Sequence, residues 1–491
     1  MTDFFAAAAE ADTPIEPALP DGWELIVGLE VHVELDTATK LFCGCANQFG
    51  SEPNTNVCPT CLGLPGSLPV MNGRAVELAM ILGRALGCDV NRSVMARKNY
   101  FYPDMPKDFQ TTQYDQPTNS DGRIVLGDGF VVGIERAHIE EDTGKSTHIG
   151  GGGRISDAVY SLVDYNRAGV PLVEIVSRPD IRTIEHAKSC VEELRGILLA
   201  TGVSDARMEE GSMRVDANVS VRPHGSDELR TRCEIKNINS VRSLGRAIEF
   251  EAARHVDLWT NGDAPAQETR HWDEEGGRTR SGRSKEDADD YRYFQEPDLV
   301  PLEPTAATIA AIDAAMPPLP SARRAALTEA TGADAATVGL LVERGQDALA
   351  RDAIAAGADA DKVVTRLVND LAVDDWSRVT ADSLTALIAM ESSGDLTATQ
   401  AKQVLGDLAD KGGDPAAHAA ARGFEAMDTG ELETLVDQLI ADHPDEWSRF
   451  AGGDDGERKK MQGFFTGQIM KATQGQADGK AVVQLLARKR A

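Results

Sequence analysis

The chain has 491 residues, more than one hydrophobic core normally supports, so several domains are expected. Its 50 Lys and Arg against 79 Asp and Glu leave a formal charge of −29, which excludes a uniformly basic nucleic-acid-binding surface. The acid is spread along the chain, as suits a protein of concentrated salt, where the screening length falls to roughly 3 Å; an ordinary acidic enzyme is the other reading.

Residues 1–20 are rich in Ala, Asp, Glu and Pro without a period and are expected to form a disordered leader. Their acidity does not match an export signal, and no run of roughly 18 apolar residues occurs, so a cytoplasmic protein without a membrane span is expected. In 24-ELIVGLEVHVEL-35 the odd positions from Leu25 to Leu35 are apolar. A strand there puts Glu30, His32 and Glu34 together on its other face, which is either a solvated face or part of a cation site. Cys43 and Cys45, then Cys58 and Cys61, form C-x-C and C-x-x-C pairs on a Gly/Pro/Asn-rich segment, the pattern of a tetrahedral Zn²⁺ knuckle over 43–61. Four thiolates leave no open position, so that zinc is structural.

A helix is predicted over 74–87. The segment 138-HIEED-142 follows, an acidic knot of Glu140, Glu141 and Asp142, and then a strand pattern over 159–166. In 170-VPLVEIV-176, Glu174 stands among aliphatic residues, where an ionised carboxylate is costly unless paired or bound to a cation. Carboxylates from separate segments together with His32 meet the needs of a Mg²⁺ or Mn²⁺ site, the hard-cation chemistry of phosphoryl transfer. Helices over 185–202 and 241–256 and a strand over 214–222 complete the pattern of an α+β domain with a mostly antiparallel sheet.

There is no G-x-x-x-x-G-K-[ST] and no G-x-G-x-x-G opening a helix, so the common nucleotide folds gain no support. Arg280, Arg283, Ser284 and Lys285 stand beside acids, either to hold phosphates near a metal or as a solvated loop. Prolines cluster at 296–305 and 316–320, after which strand signals give way to Ala/Leu helical periodicity. A break at 411–423 sets off the last segment, giving expected domains of 21–303, 304–415 (all-α) and 416–491 (a tail). Between 458 and 490 eight basic side chains face one acid, Asp478. Lys459, Lys460, Lys471 and Lys480 are therefore candidates for phosphate-backbone contact, or form a solvated basic helix.

The segments 28-GLEVHVEL-35, 97-RKNYFYPDMPKDFQTTQYDQP-117, 139-IEEDTGKS-146, 164-DYNRAGVPLVEIVSRPD-180, 209-EEGSMRVDANVSVR-222, 234-EIKNINS-240 and 284-SKEDADDYRYFQEPDL-299 closely resemble the B subunits of aspartyl/glutamyl-tRNA(Asn/Gln) amidotransferases, from about residue 23 to the C-terminus. The resemblance implies a glutamine-synthetase-like cradle for the first domain, an ATP site without a P-loop, and catalysis of an ATP-dependent amidation. The cradle phosphorylates the side-chain carboxylate of a mischarged aspartyl- or glutamyl-tRNA. Ammonia from the family's amidase, which joins it and a small third protein in a heterotrimer, displaces phosphate. The resemblance places the Mg²⁺ ligands on His32, Glu141 and Glu174, with Glu30 close by. It puts Lys98 near the ammonia route, and Glu210, Lys236 and Lys285 in other signature segments. The tail resembles the part of the family that meets tRNA, though Gln474 and Gln476 stand where a lysine is usual, and the Gly-rich 149–158 is an insertion. The acidic surface suggests an archaeal, halophilic member. The related E-type subunit carries an extra domain before its helical part, and the direct run from Pro297 into helices argues against it.

Overall fold

A computed structural model of the chain describes residues 19–150, 158–284, 291–373, 375–424, 429–473 and 479–490. They divide into two compact units, Met1–Ser321 and Ala322–Ala491. Most of the expected leader, most of the Gly-rich insertion, Lys285, Gln474 and Gln476 lie outside the described residues.

The first unit begins with β1 (Trp23–Glu34), α1 (Gly73–Ala85), β2 (Asp89–Val90), β3 (Ala96–Asn99), β4 (Phe109–Thr112), β5 (Asn119–Val125) and β6 (Val131–Glu141). It continues through β7 (Lys145–Ile149), β8 (Tyr160–Asp164), β9 (Pro171–Ser177), α2 (Ile184–Thr201), β10 (Met213–Pro223), β11 (Cys233–Ile238) and α3 (Val241–Thr260). Then come β12 (Glu268–Asp273), β13 (Arg278–Ser284), β14 (Phe294–Gln295) and α4 (Ala306–Ala315). Nine strands make one sheet in the order β13-β12-β11-β10-β1-β9-β6-β5-β2. Among these described strands only β11 and β12 pair in parallel.

The alternation predicted for β1 is what the sheet uses. Leu25, Val27, Leu29, Val31 and Val33 are buried in one core with apolar side chains of α1, α2 and α3, so the helices cover that face of the sheet. Asn72, Thr183 and Ser240 cap the three helices by accepting backbone N–H bonds, and Gly202, at φ 65°, ends α2 in the left-handed region that glycine adopts without strain. Gly83 lets α1 approach the sheet, because a Cβ there would fall 1.9 Å from the Asn119 side-chain oxygen. Asn119 in turn donates to the carbonyls of Ala79 on α1 and Ala137 on β6. β5 and β6 were not legible as strands. A bulge between Ile134 and Arg136 breaks the alternation of β6 midway, and the acids at its end resemble a loop.

The first unit runs past the proline cluster at 296–305 because α4 is fastened to α1 by a two-pronged pair from Arg84 to Asp313. The second unit is helical wherever it is described. One apolar cluster spans Leu327 to Ala419, and another gathers Val436, Phe465, Ile469 and Val482 between Leu432 and Leu486. No described helix is long and apolar enough to cross a membrane.

Candidate active site

Cross-strand register assembles the site on the sheet face opposite the helices. His32 of β1 pairs with Glu174 of β9 on one side and with Arg214 of β10 on the other. His138 of β6 pairs with Glu174, and Glu140 lies two residues further along the same face. His32 Nε2 is therefore 3.4 Å from Glu140 Oε1 and 3.4 Å from Glu174 Oε2. Ligand atoms of these three side chains all lie within 4.8 Å of one another.

Glu141, expected here by resemblance, is not in this group. Period-two alternation turns it to the opposite face, alongside buried Ala137 and Ile139. There one carboxylate oxygen takes the Lys107 ammonium and the Thr111 backbone N–H at 2.8 Å. Glu140 occupies the place expected of Glu141. Glu30 lies one pleat along β1, where Asn218 donates to it at 2.9 Å, and it does not share the three-residue cluster.

Burial and mutual charge set the protonation of the cluster. Burial disfavours a charged His32, but the hydrogen bond and charge of Glu174, with Glu140 behind it, raise its pKa to about 9. Burial, then the charge of Glu174, lifts Glu140 to about 7. Burial also opposes a charge on Glu174, yet the hydrogen bond and charge of His32, with Lys98 beyond it, hold its carboxyl well below the usual range. Burial pushes His138 down to about 4, so it stays neutral 3.9 Å from Glu174. Two carboxylates thus converge on one proton-holding imidazole, the donor types that a divalent cation takes once the imidazole is neutral. Ligand atoms on an octahedral ion with bonds of about 2.1 Å lie about 3 Å apart, close to the spacing here, so the donor set fits Mg²⁺ or Mn²⁺.

The cluster opens into a cavity of about 450 Å³ lined by His32, Glu140, Asp142, Arg214, Asp216 and Lys236, among others. Lys236 donates to Asp216 at 2.7 Å and lies 3.4 Å from Glu234. The strand β11 brings it there, and Asn237 beside it takes a positive φ of 67°, its side chain donating to the Trp272 carbonyl. Lys98 stacks its ammonium 4.6 Å from the Tyr291 ring centre and adds its charge to that felt by Glu140 and Glu174. Glu210 is not among the lining residues; it pairs with Arg207 at 2.8 Å in the turn before β10. Arg280 pairs with Asp273, Arg283 and Ser284 end β13, and Lys285 lies outside the described residues. Arg214 and Asp216 escaped sequence reasoning, while Asp142 was read only as part of the acidic knot. The alternation of 213–223 around buried Val215, Ala217 and Val219 was the available signal for Arg214 and the even-numbered positions.

The four knuckle cysteines converge as well. Cys61 Sγ lies 3.4, 3.6 and 3.7 Å from those of Cys43, Cys58 and Cys45. Sulfurs about 2.3 Å from a tetrahedral zinc stand about 3.8 Å apart, so the set fits Zn²⁺. Lys40, only 1% exposed, points its ammonium at Cys61 and the Tyr165 carbonyl, and a buried cation demands such an anionic neighbour. A third group, Cys233, Glu251 and His255, is also compact. Its carboxylate already accepts from Arg254 at 3.0 Å and Thr279 at 2.7 Å, with Arg270 3.4 Å away, so two guanidinium charges occupy the place of a cation. In the second unit Lys459, Lys460 and Lys471 are exposed on the helix Asp455–Ala472, and Lys480 lies on Gly479–Arg490. Two of the neighbouring basic groups are engaged internally, Arg488 by Glu433 and Lys489 by Asp437.

Residues 25–333 match the family model described as the GatB/GatE catalytic domain, and residues 353–489 match the GatB domain. The B subunit of the aspartyl/glutamyl-tRNA(Asn/Gln) amidotransferase of Frankia casuarinae is 46% identical over 483 residues, covering 94% of this chain and 95% of that protein. Its counterpart in a Nocardioides species is 44% identical over 507 residues, with 100% of both chains covered. That of an Anaeromyxobacter species is 45% identical over 486 residues, covering 95% of this chain and 98% of the other.

Proposed function

This chain belongs to the family of aspartyl/glutamyl-tRNA(Asn/Gln) amidotransferase B subunits, and from that premise we propose that His32, Glu140 and Glu174 form the cation site of its phosphoryl-transfer step. The chain is part of a tRNA-dependent amidotransferase, which is a ligase that forms a carbon–nitrogen bond. The observation that carries the site assignment is the convergence of those three side chains, two of which, His32 and Glu140, line the cavity.

The reaction has two steps. The side-chain carboxylate of Asp-tRNA(Asn) or Glu-tRNA(Gln) attacks the γ-phosphorus of ATP, giving an acyl phosphate and ADP. Ammonia from the glutaminase partner then attacks the acyl carbon, the C–O bond to phosphate breaks, and amide and phosphate leave. The substrate carboxylate is the nucleophile, so the protein needs none of its own. A divalent cation supplies charge neutralisation for the transferring phosphoryl group. His32, Glu140 and Glu174 would hold it, and His138, kept neutral by burial, stands 3.9 Å from Glu174. Lys236, tied to Asp216, offers a positive group to a phosphate oxygen, and Lys98, whose charge reaches Glu140 and Glu174, serves the ammonia route.

The four cysteines hold a structural Zn²⁺. Residues 21–303 act as the cradle, 304–415 as a helical domain and 416–491 as the tRNA-binding tail, with Lys459, Lys460, Lys471 and Lys480 contacting the phosphate backbone. The partners are the glutamine-hydrolysing amidase, the small third member of the heterotrimer and mischarged tRNA, and the compartment is the cytoplasm. The relatives compared are bacterial, which gives an archaeal origin no support; the charge of −29 still suits concentrated salt. Reconstitution with the amidase partner tests the reading. The mischarged tRNA that is the substrate triggers ADP release, His32→Ala abolishes the release with tRNA binding intact, and an ADP release indifferent to His32→Ala and Glu174→Ala contradicts it.

A further inference from the structure

The cavity carries a cation that the phosphoryl site does not use. Arg214 rises from β10 directly opposite His32 on the same face of the sheet, so its guanidinium borders the cation cluster. Asp142 grips that guanidinium from one side, its two oxygens 2.7 Å from Nη2 and 3.5 Å from Nη1. Asp142 is itself fixed by the Thr143 N–H at 2.8 Å and by Arg167 Nε at 3.4 Å. Of the donors left over, Arg214 Nε–H is enclosed without a hydrogen-bond partner among the described residues. An enclosed donor of this kind is costly until something accepts from it.

The lining otherwise repels the substrate. Glu140, Asp142 and Asp216 are all carboxylates, while the reaction must bring a carboxylate up to a polyphosphate. Of the strongly basic side chains on the lining, Lys236, tied to Asp216 and Glu234, is the one assigned above to a phosphate oxygen. Arg214 remains, held in one orientation by Asp142, and a planar guanidinium fork matches a carboxylate in a way that an ammonium does not.

We propose that Arg214 binds the side-chain carboxylate of the aminoacyl group and aligns it for attack on the γ-phosphorus at the His32, Glu140 and Glu174 site. The assignment rests on the phosphoryl-transfer reading above. Asp142 is then a positioning residue that acts through Arg214.

The test uses the chain assembled with its partner proteins. ADP release triggered by mischarged tRNA is measured for the wild type, Arg214→Ala and Arg214→Lys, alongside Mn²⁺ binding followed by electron paramagnetic resonance. The expected result is a loss on the order of 10²-fold or more in both variants, the scale of a misplaced reactant, with Mn²⁺ affinity unchanged. Added guanidinium ion restores part of the rate to Arg214→Ala and none to Arg214→Lys, whose ammonium fills the space. An active wild type with Arg214→Lys at the same rate overturns the role of Arg214 alone, as does an Arg214→Ala variant that loses Mn²⁺ together with activity. A wild-type assembly that releases no ADP overturns the phosphoryl-transfer reading and this assignment with it.

Discussion

In β6, Ala137 and Ile139 turn into the core, so His138 and Glu140 must turn out of it and Glu141 turns back in. One position in sequence separates the proposed cation ligand Glu140 from Glu141, the counter-charge of Lys107. Glu140→Gln is expected to weaken Mn²⁺ binding by about 10²-fold or more, since outer partners of a ligand alone are worth about 10 to 100-fold. Glu141→Gln should leave Mn²⁺ affinity nearly unchanged and lower the unfolding temperature; calorimetry of both variants separates the outcomes, and equal loss of Mn²⁺ binding in both would contradict the assignment. His32 and Glu174 were legible from alternation and from a carboxylate among aliphatics. The choice between Glu140 and Glu141 was not, because a strand carrying a bulge was read as an acidic knot.

A second residue-scale expectation concerns Glu251, fully buried. Burial opposes its ionisation, but the hydrogen bonds of His255 and Arg254 hold its pKa down to about 2 from 4.5. A depressed carboxylate stabilises the fold above its unfolded pKa, and that contribution disappears as pH falls from 4.5 toward about 2. Removing the charge leaves Arg270 and Arg254 facing each other, at a cost of about 3–5 kcal/mol. In urea unfolding, the stability gap between wild type and Glu251→Gln should be wide at neutral pH and shrink across that acid window; a gap independent of pH contradicts the account.

At the scale of elements, the sequence displays the alternation of β1 and β10, which carry His32 and Arg214, but not that of β6, which carries His138 and Glu140. The reading 24–35 became Trp23–Glu34, and 214–222 became Met213–Pro223. Predicted helices 74–87, 185–202 and 241–256 became Gly73–Ala85, Ile184–Thr201 and Val241–Thr260. Pairing partners were not legible, because register depends on contacts between segments as distant as His32 and Arg214. Two element-scale results are expected. Gly83→Ala forces a methyl into Asn119 and should cost about 1–3 kcal/mol, the range of overpacked cores, read by chemical denaturation. Cys58→Ser should abolish bound zinc in elemental analysis and expose the 43–61 segment to protease, while an unchanged zinc content would deny the knuckle its metal.

For the whole molecule, charge and site pull in opposite directions. A surface at −29 repels RNA and ATP, so anion binding is confined to the few places where basic groups gather. Raising KCl toward molar levels should raise the unfolding temperature, because screening removes self-repulsion at a Debye length of roughly 3 Å. A fragment ending at Ser321 keeps the whole nine-stranded sheet and every residue of the cation cluster. The most direct test of the central claim is therefore anomalous diffraction from crystals of the chain grown with Mn²⁺. The account predicts one strong peak about 2.2 Å from His32 Nε2 and from a carboxylate oxygen of each of Glu140 and Glu174, with none beside Glu141. A peak coordinated by Glu141, or no density between the three side chains at saturating Mn²⁺, would contradict it.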